Sequence, residues 1–240
     1  MYQYKLTFEL ENNRLPRETD CLIVSFLKAS AQACSQAFYE KLYDKSRSVL
    51  KSYTFSYYLP GAKFAKEKIE LESNAFSLFF SDADQQELLM FFNGFQLMKR
   101  KKYPMNENSM TLVSVRVQPL PEIREEQIVI RMQSPLIVRR HNPKNNTDIY
   151  YTCESEEFEQ ALRENIAVFL DRMGMDAAAE SFSIQTVKGK KVVVPVFGRN
   201  TDASLGIFKL TGSRRLLTIL YHAGLGARRS EGHGKFEVIG

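Results

Sequence analysis

The chain has 240 residues, a formal net charge of +5 and 44% hydrophobic residues, which excludes wholesale disorder and suits one large domain or two of about 120 residues. Its three cysteines, Cys21, Cys34 and Cys153, are odd in number and form no Cys-x-x-Cys, which argues against a disulfide framework or a cysteine zinc site and fits a reducing, cytoplasmic setting. No apolar run reaches about 18 residues and the start lacks a signal pattern, so no membrane span and no ordinary export are expected.

Tyr2, Tyr4, Leu6, Phe8 and Leu10 alternate with polar residues, which predicts a half-buried strand. After Pro16, the spacing of Leu22, Ile23, Phe26, Leu27, Cys34, Phe38 and Leu42 predicts a long helix with a break near Ser30. Ser52 to Leu59, Lys66 to Leu71 and Ala75 to Phe80 read as strands. Asp82 to Met98 reads as a helix capped by Asp82 or Asp84, and Met110 to Val117 as another alternating strand.

Pro119 and Pro121 make a stiff break, and the same order follows again. Gln127 to Met132 reads as a strand, interrupted at Ser134-Pro135 and continued over Leu136 to Arg140. His141 to Asp148 is polar and loop-like, and Ser155 to Met173 is an amphipathic helix. Phe182 to Val187 and Lys191 to Phe197 are expected to form a hairpin around Lys188-Gly189-Lys190. Ile207 to Thr211 is a strand, Ser213 caps a helix through His222, and Lys235 to Ile239 closes the chain as a strand. Both halves read as strand–helix, strands, helix–strand. The expected fold is α+β, with two tandem ferredoxin-like (RRM-like) βαββαβ domains, 1–121 and 122–240. Sheets of this kind are a common RNA-binding platform.

Basic residues cluster at Lys99–Lys102, Arg139–Arg140, Lys188–Lys191, Arg214–Arg215 and Arg228–Arg229. The last pair sits between two Gly-x-Gly steps, Gly224/Gly226 and Gly232/Gly234, with Lys235 just after. Glycine reaches positive φ cheaply, and paired steps can aim several N–H groups at one anion. Two arginines in such a loop point to a phosphate. The bland alternative is a glycine-rich turn between a helix and a last strand.

Three stretches together resemble the CRISPR-associated endoribonucleases that process repeat RNA, members of the RAMP superfamily. They are the double Gly-x-Gly loop, the run Gly206 to Gly212 leading into Leu216–Tyr221, and Gln133–Arg139 followed by Tyr150, Tyr151 and Glu156–Phe158. The likeness covers about residues 127–240, and the loop departs from the family pattern in enclosing His233 where an apolar residue is usual. The resemblance implies two ferredoxin-like domains, and beside it the basic clusters and the glycine loop give Arg139, Arg140, Lys188, Lys190, Lys191, Gly224, Gly226, Arg228, Arg229, Gly232, Gly234 and Lys235 as the candidate RNA contacts. The resemblance also implies metal-independent cleavage within the repeat by the neighbouring 2′-OH, leaving a 2′,3′-cyclic phosphate and a 5′-hydroxyl, with no cofactor. The implied partner is CRISPR repeat RNA. Subunits of a CRISPR effector complex form a further class, no membrane partner is expected, and a homodimer stays open.

Such cleavage needs a base for the 2′-OH, an acid for the leaving oxygen and positive charge on the phosphate. Members of the family often carry a histidine after the first helix, and the first 140 residues here contain none. The nearest counterpart is Tyr39, with Tyr43 one helical turn on and Lys45, Arg47 and Lys51 following. A phenol with a pKa of about 10 is a weak base unless cations lie close. Among the histidines, His141 reads as an RNA or solvent contact and His222 as a helix end, leaving His233 as the replacement base. The candidate catalytic set is therefore Tyr39, Lys45, Lys51 and His233. A protein that holds repeat RNA without cutting is the alternative.

Overall fold

The computed structural model describes residues 2–44, 46, 49–105, 107–175, 179, 181–196 and 198–240. It divides into two compact units, one formed by Tyr2–Lys51 and Ser56–Leu120, the other by Ser52–Phe55 and Pro121–Gly240.

The first unit begins with β1 (Tyr2–Leu10), β2 (Arg14–Pro16), α1 (Thr19–Cys34) and α2 (Gln36–Tyr43). It continues with β3 (Tyr53–Tyr58), whose first three residues count with the second unit, β4 (Lys63–Phe64), β5 (Lys68–Glu70), β6 (Ala75–Asp82), α3 (Gln85–Met98), β7 (Lys102–Met105) and β8 (Asn108–Pro119). The main sheet runs β3-β6-β1-β8-β7, and a small second sheet runs β2-β5-β4. Counting β1, β3, β6 and β8 as the four principal strands, the order is second, third, first, fourth, that of a ferredoxin-like sheet. The alternation of β1 does what its sequence demands: Tyr4, Leu6, Phe8 and Leu10 are buried. Phe8 stacks on Phe76 with ring centroids 4.9 Å apart and meets Phe26 edge-on at 5.1 Å.

The helix break falls at Ser35 rather than near Ser30. Ser35 is extended, and its hydroxyl accepts from the Phe38 N–H, capping α2. Ser30 stays helical by donating its hydroxyl to the Phe26 carbonyl, and it marks the crossing with α3. A Cβ on Gly94 would lie 2.3 Å from the Ser30 carbonyl oxygen, so only glycine permits that approach. Asp84, not Asp82, caps α3, accepting from the Gln86 and Glu87 N–H groups at 2.8 and 3.1 Å.

The second unit contains β9 (Gln127–Met132), β10 (Val138–Asn142), β11 (Thr147–Tyr151), α4 (Phe158–Met173), β12 (Ser183–Val196), β13 (Arg199–Thr211), α5 (Arg214–Ala223) and β14 (Phe236–Val238). Its sheet runs β12-β13-β9-β14, again second, third, first, fourth. Ile130, Phe208 and Leu210 of the sheet are buried, as are Leu162, Ile166 and Phe169 of α4 and Leu216, Leu217 and Leu220 of α5. Ser213 caps α5 through the Leu216 N–H, as its position predicts.

Two expectations for this half are corrected. The polar stretch His141 to Asp148 is not a loop throughout, because β10 and β11 pair across it with His141 opposite Asp148 and only 143–146 turn. Lys188-Gly189-Lys190 is not a turn either. β12 runs through it, and the chain reverses only between Val196 and Arg199. Gly189 lies opposite Gly206, where a Cβ would come 2.1 Å from the Lys188 carbonyl oxygen. The glycines mark a close approach of strands, with a bulge between Thr186 and Lys188.

Candidate nucleic-acid interface

The glycine loop follows α5 and is stitched into the second unit through its backbone. Leu225 N–H donates to Gly234 at 2.8 Å, so the two Gly-x-Gly steps hold each other. Ala227 N–H donates to Ile137 and Gly234 N–H to Pro135, at 2.8 and 2.9 Å. The Gln133 and Ser134 N–H groups donate to the Lys235 carbonyl, and the Ser134 hydroxyl accepts from the Lys235 N–H. Thr54 donates its hydroxyl to the His233 carbonyl at 3.0 Å. The stretch 133–137 is thus the seat of the loop. A Cβ on Gly234 would meet the Leu225 carbonyl oxygen at 1.9 Å, and one on Gly226 the Ile137 carbonyl oxygen at 2.2 Å. This revises the anion-nest expectation. The amides of Gly224, Leu225, Ala227, Gly232, Gly234 and Lys235 are already spent on protein acceptors, so the glycines serve close packing.

Burial sorts the loop's charges. The Arg229 guanidinium lies 3.6 Å from the Phe169 ring centroid of α4, and the residue is only 6% exposed. Burial pushes its pKa down to about 9. Lys235 is 1% exposed, and burial lowers it to about 7. His233, the expected replacement base, is 2% exposed. Burial, then the charge of Arg228, lowers it to about 4. An imidazole sealed in this way has no access to a 2′-hydroxyl in this conformation. Burial and then Lys235 likewise lower His222 to about 4. Arg228 is half-buried, the least enclosed cation of the loop. Burial opposes its charge, but Glu231, at 3.1 and 3.2 Å, and Tyr150 outweigh burial and raise its pKa.

The β10–β11 hairpin supplies a second group. Arg139 and His141 share a face of β10, and both reach Asp148, at 2.7 and 2.9 Å. Burial works against the Asp148 carboxylate, yet hydrogen bonds from His141 and Arg139 hold it below its ordinary range. Arg140 points elsewhere and grips Glu164 of α4 with two hydrogen bonds of 2.7 and 2.8 Å, which anchors the hairpin. On the β12 edge, Gln185 to Lys191 are all exposed. A Cβ on Gly189 would face Cys153, so Lys188 and Lys190 project from the opposite face, while Lys191 pairs with Asp202 at 2.7 Å.

In the first unit, Tyr39 and Tyr43 lie on one face of α2 with ring centroids 5.6 Å apart. The ammonium groups of Lys51 and Lys28 lie 5.1 and 5.6 Å from the Tyr43 ring centroid. Lys45 and Arg47 lie outside the described residues. Of the named candidates, the fold therefore gathers Tyr39 and Lys51 around Tyr43, and it places His233 in the separate glycine loop. Sequence reasoning missed Lys28, because no spacing rule links an exposed position of α1 to the next helix. It also missed Asp148 and Tyr150, whose i, i+2 spacing became informative only with the hairpin. Among the described residues, no group of three or more His, Cys, Asp or Glu side chains could hold a metal ion. None of the described helices is long and apolar enough to cross a membrane.

The family model for the C-terminal region of CRISPR-associated protein Cas6 matches residues 118–238, half of the chain. The chain belongs to the Cas6 family. Family membership supports a role in CRISPR repeat-RNA processing. No curated protein matches the chain. Solved structures similar to it include a RAMP protein described as binding different RNA substrates, at 19% identity and a TM-score of 0.84 over the whole of both chains. Another is the product of a Cas6-related gene from Pyrococcus furiosus, at 18% identity and a TM-score of 0.85, covering 99% of this chain and 98% of that one. A third, described as CRISPR-associated protein Cas6, has 16% identity and a TM-score of 0.76, over 100% of this chain and 99% of that one. At these identities the likeness is one of fold, and it extends the Cas6 architecture over the N-terminal half that the family model leaves unmatched.

Proposed function

We propose that this Cas6-family chain is a metal-independent endoribonuclease that cuts CRISPR repeat RNA, with domains 1–121 and 122–240. The 2′-oxygen next to the scissile phosphate forms a bond to phosphorus, and the bond from phosphorus to the 5′-oxygen breaks. The 2′-OH proton goes to a base and the leaving oxygen gains one, giving a 2′,3′-cyclic phosphate and a 5′-hydroxyl. The observation that carries this reading is the α1–α2 cluster, where two ammonium groups flank Tyr43 and Tyr39 lies beside it. Lys28 and Lys51 supply charge to the pentavalent phosphate, with Lys45 a third source, and Tyr39 handles the proton. Arg228, Arg139, Lys188 and Lys190, each at least partly exposed in the second unit, hold the RNA backbone.

The decisive experiment is single-turnover cleavage of end-labelled repeat RNA in EDTA. A discrete product ending in a cyclic phosphate is expected. Tyr39→Phe is expected to slow its formation about 100-fold with binding unchanged. A normal rate in that variant removes Tyr39 from the chemistry. The second reading, a repeat-RNA-binding protein that does not cut, alone or within a CRISPR effector complex, is favoured by the burial of His222 and His233 and the lack of histidine in the first 140 residues. RNA retained without product at saturating protein decides for it.

A further inference from the structure

The small sheet of the first unit carries an aromatic side chain that neither its core nor the α1–α2 cluster uses. In β2-β5-β4, Leu15, Ile69 and Phe64 stand in one cross-strand row. Leu15 and Ile69 are buried, whereas Phe64, on the outer strand, is 73% exposed. The tip that presents it is pinned. Ala65 N–H donates to the Lys68 carbonyl at 2.9 Å, and Arg17 donates its guanidinium to the Ala65 carbonyl at 3.0 Å and its backbone N–H to Glu67 at 3.2 Å. Phe64 is therefore held outward on a fixed turn, with only its own two torsions to order on binding.

The small sheet and its turn carry Arg14, Arg17, Lys63, Lys66 and Lys68 against Glu67 and Glu70, with Glu18 and Glu72 just beyond the strands. Lys68 and Arg14 already hold Glu70, at 2.9 and 3.6 Å. Lys63 and Lys66, one and two residues from the ring, are exposed. A single exposed phenylalanine is unremarkable on a protein surface. One interleaved with lysines on a rigid turn has the make-up of a stacking platform for single-stranded nucleic acid, where the ring meets a base face and the cations meet the flanking phosphates.

We propose that Phe64, with Lys63 and Lys66, stacks one unpaired base of the RNA. The inference rests on the repeat-RNA reading above and adds a contact outside the cluster assigned to cleavage. Stacking uses the face of a base and not its edge, so this contact contributes affinity with little choice of sequence.

The chain contains no tryptophan, so Phe64→Trp introduces its only indole. Labelled repeat RNA is titrated with this variant while RNA anisotropy and indole emission are followed together. Quenching with the same midpoint as the anisotropy rise is expected. Phe64→Ala, at a position too exposed to matter for folding, is expected to weaken binding about tenfold with the salt slope unchanged. Lys63→Ala and Lys66→Ala should each lower that slope by about 0.7. RNA binding with unchanged indole emission and wild-type affinity in Phe64→Ala overturns the platform and leaves the repeat-RNA reading intact. No RNA binding by any variant overturns both. Emission that shifts with protein concentration in the absence of RNA overturns the platform in favour of contact with a second copy of the chain.

Discussion

The glycine loop and the outer edge of β12 carry the same ingredients, glycines and closely spaced cations, and use them in opposite ways. In the loop the glycines let backbone meet backbone, and the chain closes over Arg229 and Lys235. On β12, Gly189 is exposed with its side turned to Cys153, and Lys188 and Lys190 stand in water on the other face. A basic run near glycine therefore says little about where the charge is available. That depends on which backbone groups are already satisfied and on which face of the element each side chain falls.

The largest expected effect tests the glycines. Gly234→Ala sets a methyl 1.9 Å from a backbone oxygen at a φ of +73°, and neither partner can yield. A loss of about 3 kcal/mol in urea unfolding is expected. Gly189→Ala meets only the Cys153 and Thr186 side chains at 2.8 Å, which can rotate, and should cost about 1 kcal/mol. Equal losses would abolish the distinction between the two regions.

Next comes pH. Lys235, His222 and His233 all have folded-state pKa values below their ordinary ones, so the unfolded chain binds their protons more tightly. Their contribution is fully present above the unfolded pKa and is lost as pH falls to the folded one. For Lys235 the window runs from 10.5 down to about 7, and for the two histidines from 6.5 down to about 4. Stability should fall with decreasing pH by at most about 1.4 kcal/mol per pH unit for each group within its window. Lys235→Met should flatten the alkaline limb. Unfolding free energies that are already flat in the wild type between pH 7 and 10 would show that Lys235 is not desolvated.

The smallest effect concerns RNA. Lys188→Ala and Lys190→Ala should each reduce the salt slope of repeat-RNA binding by about 0.7, whereas Arg229→Met should leave it unchanged because that guanidinium is committed to Phe169. The reverse outcome would mean that the loop opens onto RNA and the edge strand does not.

Much of the fold is legible without coordinates. Period-2 burial along β1, the Asp84 and Ser213 caps and the repeated order of elements are local or near-local properties, and they lead to two sheets of the same strand order. The departures share one cause. Ser30 reads as a break because small polar residues often end helices, but it is where α3 crosses at Gly94. Lys188-Gly189-Lys190 reads as a turn because glycine often makes one, but Gly189 marks the approach of β13. His141 reads as a loop residue because its neighbours are polar, but it pairs with Asp148 across a hairpin.

The glycine loop belongs with these. By itself the sequence placed Gly224, Gly226, Gly232 and Gly234, which reach positive φ cheaply, and the pairs read as an anion nest or a plain turn. It also placed two arginines and a lysine there. Only the tertiary structure decided that the loop's amides bond to the 133–137 segment and that Arg229 and Lys235 are desolvated while Arg228 stays half-buried. Burial and hydrogen-bond partnership depend on residues far away in the chain, and no local pattern encodes them.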